Sequence, residues 1–235
     1  IEKLETCFNK LIERNESLRT YFEIENGVPV QKICKDFNFK IDIINATDDN
    51  INNYFVDFVK PFDLSKAPIL RVKLIRLLDN TALLLFDTHH IISDGTSMQI
   101  LIRDLCKLYN GEELEPIKFT YKDYSEWENS NLKSGALDES KEFWLSKFED
   151  DIPVLNLPYK HPRSAKKSFK GAKVYKTLNK DFTKKINDLC KELQVTPYMF
   201  LLGAYYILLS KYSTQTIIVI GSPVIARKNS DTQNI

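Results

Sequence analysis

The chain has 235 residues, 43% hydrophobic and 28% charged, which is ordinary for a globular protein with a sizeable core in one large domain or two small ones. Lys and Arg number 33 against 32 Asp and Glu, so nothing points to nucleic acid or an acidic membrane surface as the main partner. The basic cluster from Lys160 to Lys173 is local and broken by Pro, Ser and Gly.

Residues 1–16 carry Ile1, Leu4, Phe8, Leu11 and Ile12 at the spacing of one helix face. Leu18 to Glu25 alternates like a strand, with Leu18, Thr20, Phe22 and Ile24 on one side. Asn26-Gly27 predicts a hairpin turn, because both residues tolerate positive φ, and Val28 to Cys34 returns as its partner. Pro29 places that partner near an edge or a strand start. Phe39 to Ile44 alternates again. Asp48 to Val59 reads as a helix capped by Thr47 or Asp48, and Pro61 ends it.

Ile69 to Leu78 and Thr81 to Thr88 predict a hairpin across Asp79-Asn80. Its second strand is apolar nearly throughout, as expected of a central strand covered on both faces. Thr96 to Tyr109 reads as a helix whose core face is Met98, Leu101, Ile102, Leu105 and Leu108, stopped by Asn110-Gly111. Two further helices, Tyr121 to Asn131 and Leu137 to Phe148, carry Trp127, Phe143, Trp144 and Phe148 as expected anchors.

Residues 151–171 hold Pro153, Pro158 and Pro162 together with Lys166-Lys167, the composition of a linker or exposed crossing segment. The pattern then restarts. Ala172 to Leu178 reads as a strand, Asp181 to Leu193 as an amphipathic helix, Pro197 to Tyr212 as an apolar helix capped by Thr196, and Thr216 to Ile220 as a short strand. The fold class is mixed α/β of the α+β kind, without regular βαβ alternation. Residues 1–160 form one expected lobe, 161–171 a crossing linker and 172–235 the beginning of a second lobe. The chain starts inside a helix pattern and stops abruptly at Ile235, as a piece of something longer would.

Cys7, Cys34, Cys106 and Cys190 are far apart and form no CxxC pattern. Cys7, Cys106 and Cys190 fall in helical apolar patterns and read as buried thiols, so a reducing, cytoplasmic setting without structural disulfide or zinc is expected. The sequence shows no signal-peptide pattern and no apolar run of membrane-spanning length.

Two of the three histidines stand together in His89-His90-Ile91-Ile92-Ser93-Asp94-Gly95, at the mouth of the apolar strand. Successive strand side chains point to opposite faces, so the two rings do not easily serve one metal or one proton. A pair of structural histidines and a catalytic pair both fit these residues. Asp94 fits three roles: orienting a ring, capping the next helix, or pairing with a buried arginine. Gly95 fits a tight strand-to-helix turn. No third metal ligand stands at useful spacing, and Ser93 and Ser97 lack a Gly-x-Ser-x-Gly elbow.

These residues, with three more segments, resemble the condensation domains of nonribosomal peptide synthetases, related in fold to chloramphenicol acetyltransferase. His89 to Gly95 fits that family's His-His-x-x-x-Asp-Gly in full. Arg14 to Phe22 is similar to its Arg-His-Glu-x-Leu-Arg-Thr-x-Phe, with Asn15 in place of the second position's histidine. Tyr121 to Trp127 is similar to Tyr-x-Asp-(Tyr/Phe)-x-x-Trp, and Gly221 to Arg227 to the start of a later Gly-x-Pro-x-x-x-Arg segment. Pro61-Phe62-Asp63-Leu64 with Ala67-Pro68-Ile69-Leu70-Arg71 resembles the run before the histidine hairpin.

The resemblance implies a lobe of the chloramphenicol acetyltransferase type plus the start of a second. It implies an amide-forming reaction between a donor acyl or peptidyl thioester and the amine of an acceptor aminoacyl thioester. Both substrates ride on phosphopantetheine arms of donor and acceptor carrier domains, so this chain binds no cofactor of its own. An adenylation domain is the expected neighbour. By carry-over, His90 faces the tunnel as general base or as a positioning group, and Gly95 offers a backbone N–H near the developing oxyanion. Asp94 holds the loop through an arginine, Arg227 first and Arg19 second, and His89 is structural. An epimerization domain shares the fold and the motif, and a non-catalytic carrier-docking module is the rival of a different class. The cyclization relatives replace the histidine pair with aspartates, which this chain does not.

Overall fold

A computed structural model describes residues 1–47, 51–79, 81–149, 152–161, 166, 168, 171–225, 227 and 232–234. The expected cap Asp48, the turn residue Asn80, Lys167 and Ala226 lie outside the described residues. The chain divides into two compact units, residues 1–137 with 225–235, and residues 138–224.

The first unit opens with α1 (Glu2–Arg14), which buries Cys7, Phe8, Leu11 and Ile12 along one stripe. Glu2 and Glu5 sit in its first turn and Arg14 in its last, each matched to the helix dipole. Ile1 is exposed. Glu16–Arg19 forms a 3₁₀ turn, so the strand expected from Leu18 begins instead at Thr20. There β1 (Thr20–Glu25) pairs antiparallel with β2 (Val28–Ile33), from Thr20 opposite Ile33 to Glu25 opposite Val28. Asn26 and Gly27 between them have φ of 52° and 80°, the twist a two-residue hairpin needs.

A second sheet has the order β3–β4–β5, with β3 (Asp42–Asn45) parallel to β4 (Leu70–Arg76) and β5 (Ala82–Thr88) antiparallel to β4. The parallel step is made through α2 (Ile51–Phe58). Among the described residues β4, not β5, is the middle strand. The unbroken apolar run of β5 has a different cause. Leu84 and Phe86 pack on the cluster of Phe8, Leu11, Ile12 and Val72, while Leu83 and Leu85 pack with Ala46, Phe58 and Ile75. Alternate side chains thus serve two apolar faces of an edge strand.

Past the histidines, α3 (Gly95–Asn110) ends on Gly111, whose φ of 86° is the left-handed closure that glycine favours. Met98, Leu101, Leu105 and Leu108 face the core as expected, but Ile102 is 58% exposed and Ile100 is buried in its place. The seam follows the spacing 98, 101, 105, 108, and Ile102 and Cys106 fall on its flank. Cys106 is therefore exposed, whereas Cys7 and Cys190 are buried. The helix α4 (Tyr121–Lys133) starts with a reciprocal cap. Thr120 accepts from the Asp123 N–H, and Asp123 accepts the Thr120 N–H at 2.8 Å. Neither α4 nor the second unit's α5 (Asp138–Ser146) buries a residue. The expected anchors Trp127, Phe143, Trp144 and Phe148 are exposed, because no element among the described residues covers them.

In the second unit, Asn179 caps α6 (Lys180–Glu192) through the Phe182 N–H, and Thr196 caps α7 (Pro197–Ser213) through the Met199 N–H. Residues 172–178 and 216–220, expected as strands, are not strands here. A strand exists only with a ladder partner. None stands beside them among the described residues, and Val174 is 97% exposed.

Candidate active site

Backbone and side-chain bonds shape the turn between β5 and α3. The Ile92 N–H and the Ser93 hydroxyl both donate to the His89 carbonyl, at 3.2 and 3.3 Å. The Ile91 N–H donates to Nδ1 of His89 at 3.0 Å. That nitrogen is then an acceptor, and the neutral ring carries its proton on Nε2. The His89 ring also meets Phe62 edge-on. His89 is thus spent inside its own loop.

His90 is exposed, and no partner bonds its ring among the described residues. It lines a cavity of about 280 Å³ with Ser17, Gln31, Asp94, Ser97, Tyr121 and Arg227. The two adjacent rings have separate surroundings, but not by strand alternation, since β5 ends at Thr88 and both histidines lie in the turn beyond it.

Asp94 does two of the jobs open to it in the sequence. One carboxylate oxygen caps α3, accepting the Ser97 N–H at 2.8 Å and the Ser97 hydroxyl at 2.7 Å. The other meets Arg227 at 2.6 Å. A second guanidinium nitrogen of Arg227 donates to Oγ of Ser97 at 3.0 Å. The Arg227 bond, helped by those from Ser97, holds the Asp94 carboxyl well below the usual carboxylate range, against a smaller opposing effect of burial. Asp94 is therefore ionised and committed to its neighbours.

Arg19, the second candidate partner for Asp94, is elsewhere. It donates to the Cys34 carbonyl at 2.9 Å and stands 3.6 Å from Glu16, anchoring the hairpin to the 3₁₀ turn. Arg14 lies 3.9 Å from Asp104, a buried carboxylate that also takes Arg103 at 2.9 Å. Gly95 opens α3 with φ outside the left-handed region, and a Cβ there would meet open space. The turn itself does not need its conformational freedom.

Sequence reasoning missed Gln31 and Ser17 as cavity residues. Gln31 stands opposite Phe22 in the hairpin and donates to Thr20 Oγ1 at 3.3 Å; as a single polar residue in a strand it carried no signal. Ser97 was legible in principle, as the third residue after a capping Asp. Among the described residues no three His, Cys, Asp or Glu side chains gather where they would hold a metal ion.

The model of the condensation domain family matches residues 1–235. The chain belongs to the condensation domain family. This condensation domain is 42% identical over 233 residues to gramicidin S synthase 2 of Aneurinibacillus migulanus, covering 99% of the chain and 5% of that protein. It is 40% identical over 235 residues to bacitracin synthase 3 of Bacillus licheniformis, covering 4% of it. Among solved structures, the condensation domain of the monacolin K polyketide synthase overlays with a TM-score of 0.85 at 19% identity, over 99% of this chain and 56% of that one. A four-domain nonribosomal peptide synthetase bound to AMP and glycine gives 0.85 at 23% identity, over 99% of this chain and 18% of that one. The fold is that of chloramphenicol acetyltransferase-like condensation domains. The epimerization domain of tyrocidine synthetase overlays at 0.61 and 20% identity over 69% of this chain, the same fold; the match to the condensation domain family over the whole chain does not favour the epimerization alternative.

Proposed function

We propose that this condensation domain joins a donor acyl or peptidyl thioester to the free amine of an acceptor aminoacyl thioester. The amine nitrogen bonds to the donor carbonyl carbon, the carbon–sulfur bond breaks, and the proton lost by the amine ends on the departing thiolate, directly or by way of His90. Donor and acceptor carrier domains supply the phosphopantetheine arms, and an adenylation domain of the same cytoplasmic synthetase loads the acceptor. The remainder of the site is contributed by a second lobe, of which residues 172–235 are the beginning. The multidomain relatives support these partners.

The observation that carries the reading is the state of His90. In a cavity where Asp94 and Arg227 hold each other, His90 is the imidazole left without a partner. It takes the amine proton as base, or holds the amine by a hydrogen bond while a reactive thioester and proximity do the rest. The backbone N–H at Gly95 stabilises the oxyanion.

The test uses the complete domain with loaded carriers and follows amide product by mass spectrometry. Changing His90→Ala is expected to lower the rate by about 100-fold or more if the ring is a general base, and less if it positions. An unchanged rate would remove His90 from the mechanism. Exchange of α-deuterium on a single carrier, without amide, would instead mark an epimerase.

A further inference from the structure

Arg71 stands opposite Asp87 in the β4–β5 register, two positions before His89. Its Nε lies 3.3 Å from the Asp87 carboxylate, an ion pair without hydrogen-bond alignment, with side chains 23% and 22% exposed. Its amino groups donate to the carbonyls of Lys60 at 2.7 Å, and of Phe58 and Pro61 at 3.4 Å each. The flat face of the guanidinium covers the Phe62 ring, 3.7 Å from its centroid. Phe62 then meets His89 edge-on, with centroids 6.3 Å apart and planes at 87°.

A planar fork with several donors suits this place. It binds carbonyls in its plane while its face stacks on an aromatic ring, which an ammonium does not do. The segment it gathers, residues 59–69, has no ladder or helix of its own. Farther along, among the described residues, that segment is hydrogen-bonded to the rest of the unit at Leu64, whose carbonyl accepts the Phe22 N–H, and at the buried Ile69, whose carbonyl accepts the Thr88 hydroxyl. Near the histidines, Arg71 and Phe62 hold it.

His89 and His90 share a peptide, so holding the His89 residue in place fixes the backbone from which the His90 side chain projects. We propose that Arg71 is a positioning residue for His90, acting through Phe62 and His89. It presents Phe62 as the wall on which the His89 ring rests, while the Ile91 N–H pins Nδ1 of that ring. The inference rests on His90 being the group that meets the amine. It adds a second support of the histidine loop, on β4, to the Asp94–Arg227 pair.

The experiment compares Arg71→Ala, Arg71→Lys, Phe62→Leu, Phe62→Tyr and the double variant Arg71→Ala/Phe62→Leu in the complete domain with loaded carriers. Arg71→Ala and Phe62→Leu are expected to lower kcat by about tenfold or more, with KM for the acceptor carrier changed by less than about twofold. The double variant is expected to be no worse than either single change, since both cut one path. Phe62→Tyr keeps the ring and the rate, and Arg71→Lys does not rescue. Without substrates, the ¹⁵N resonances of the His89 ring are expected to move in Arg71→Ala and in Phe62→Leu. Wild-type kcat in Phe62→Leu, losses that multiply in the double variant, or unmoved His89 resonances would each overturn the proposal. Should Arg71→Ala not fold, Phe62→Leu, which leaves the Arg71–Asp87 pair in place, decides alone. If the wild-type domain makes no amide, the functional reading fails, and the imidazole resonances still decide whether this stack holds the loop.

Discussion

Asp94 shows how one side chain serves two structural ends. Its carboxylate caps α3 with one oxygen and binds Arg227 with the other. Asparagine keeps a cap but loses the charge, and alanine loses both. Asp94→Ala is expected to destabilise the folded domain by about 1–2 kcal/mol in urea melts, and Asp94→Asn by less. The pH dependence separates the two contributions. The folded-state carboxyl is held below its unfolded value, so its pairing stabilises the fold above that unfolded value, near pH 4. The contribution is withdrawn as pH falls through and below it. The gap in stability between wild type and Asp94→Asn is expected to stay level above about pH 5 and to narrow toward acid. A gap that widens in acid would contradict the pairing.

At the scale of the element, the two ends of α3 carry glycines for different reasons. Gly111 has φ of 86°, and a side chain there strains the helix stop. Gly95 has an ordinary backbone and open space around its Cβ direction. Gly111→Ala is expected to cost about 1–2 kcal/mol of stability with little effect on turnover of the folded enzyme. Gly95→Ala is expected to leave stability unchanged or raise it by up to about 1 kcal/mol, and to keep turnover, because alanine retains the backbone N–H and its Cβ meets open space. Thermal melts paired with turnover check both, and a Gly95→Ala variant that loses stability would show that the turn needs the glycine. The helix stop was legible as Asn-Gly after an apolar stripe. The open space at Gly95 was not, because only the packed surroundings of a residue show whether its lack of a side chain is needed locally.

At the scale of the molecule, the first unit has two apolar clusters around its three-stranded sheet, and the second has little buried surface. In α7, Tyr198, Met199, Leu201 and Ile207 are each more than half exposed. Apolar side chains exposed to this degree point to an interaction face. The 235-residue polypeptide is expected to self-associate through these side chains in sedimentation runs, and a strictly monomeric species at all concentrations would contradict that. Among the described residues no single helix is long and apolar enough to cross a membrane; α6 and α7 reach that length only together, across a 101° bend.

Features that rest on neighbours in the chain were determined by the sequence alone. These include the Asn26-Gly27 hairpin, the caps Thr196 and Gly111, the apolar stripe of α1 and the histidine motif, because turn, cap and stripe depend on conformations a few residues settle among themselves. Resemblance of motifs also nominated Arg227 for Asp94 across the length of the chain. Only the tertiary structure decided that β5 is an edge strand covered on both faces, and that Ile100 rather than Ile102 is buried. It also decided that residues 172–178 lack a ladder, and that Arg71 reaches His89 through Phe62. Each of these depends on what lies opposite a residue in space, and burial, ladder pairing and ring contacts are properties of pairs distant in the chain.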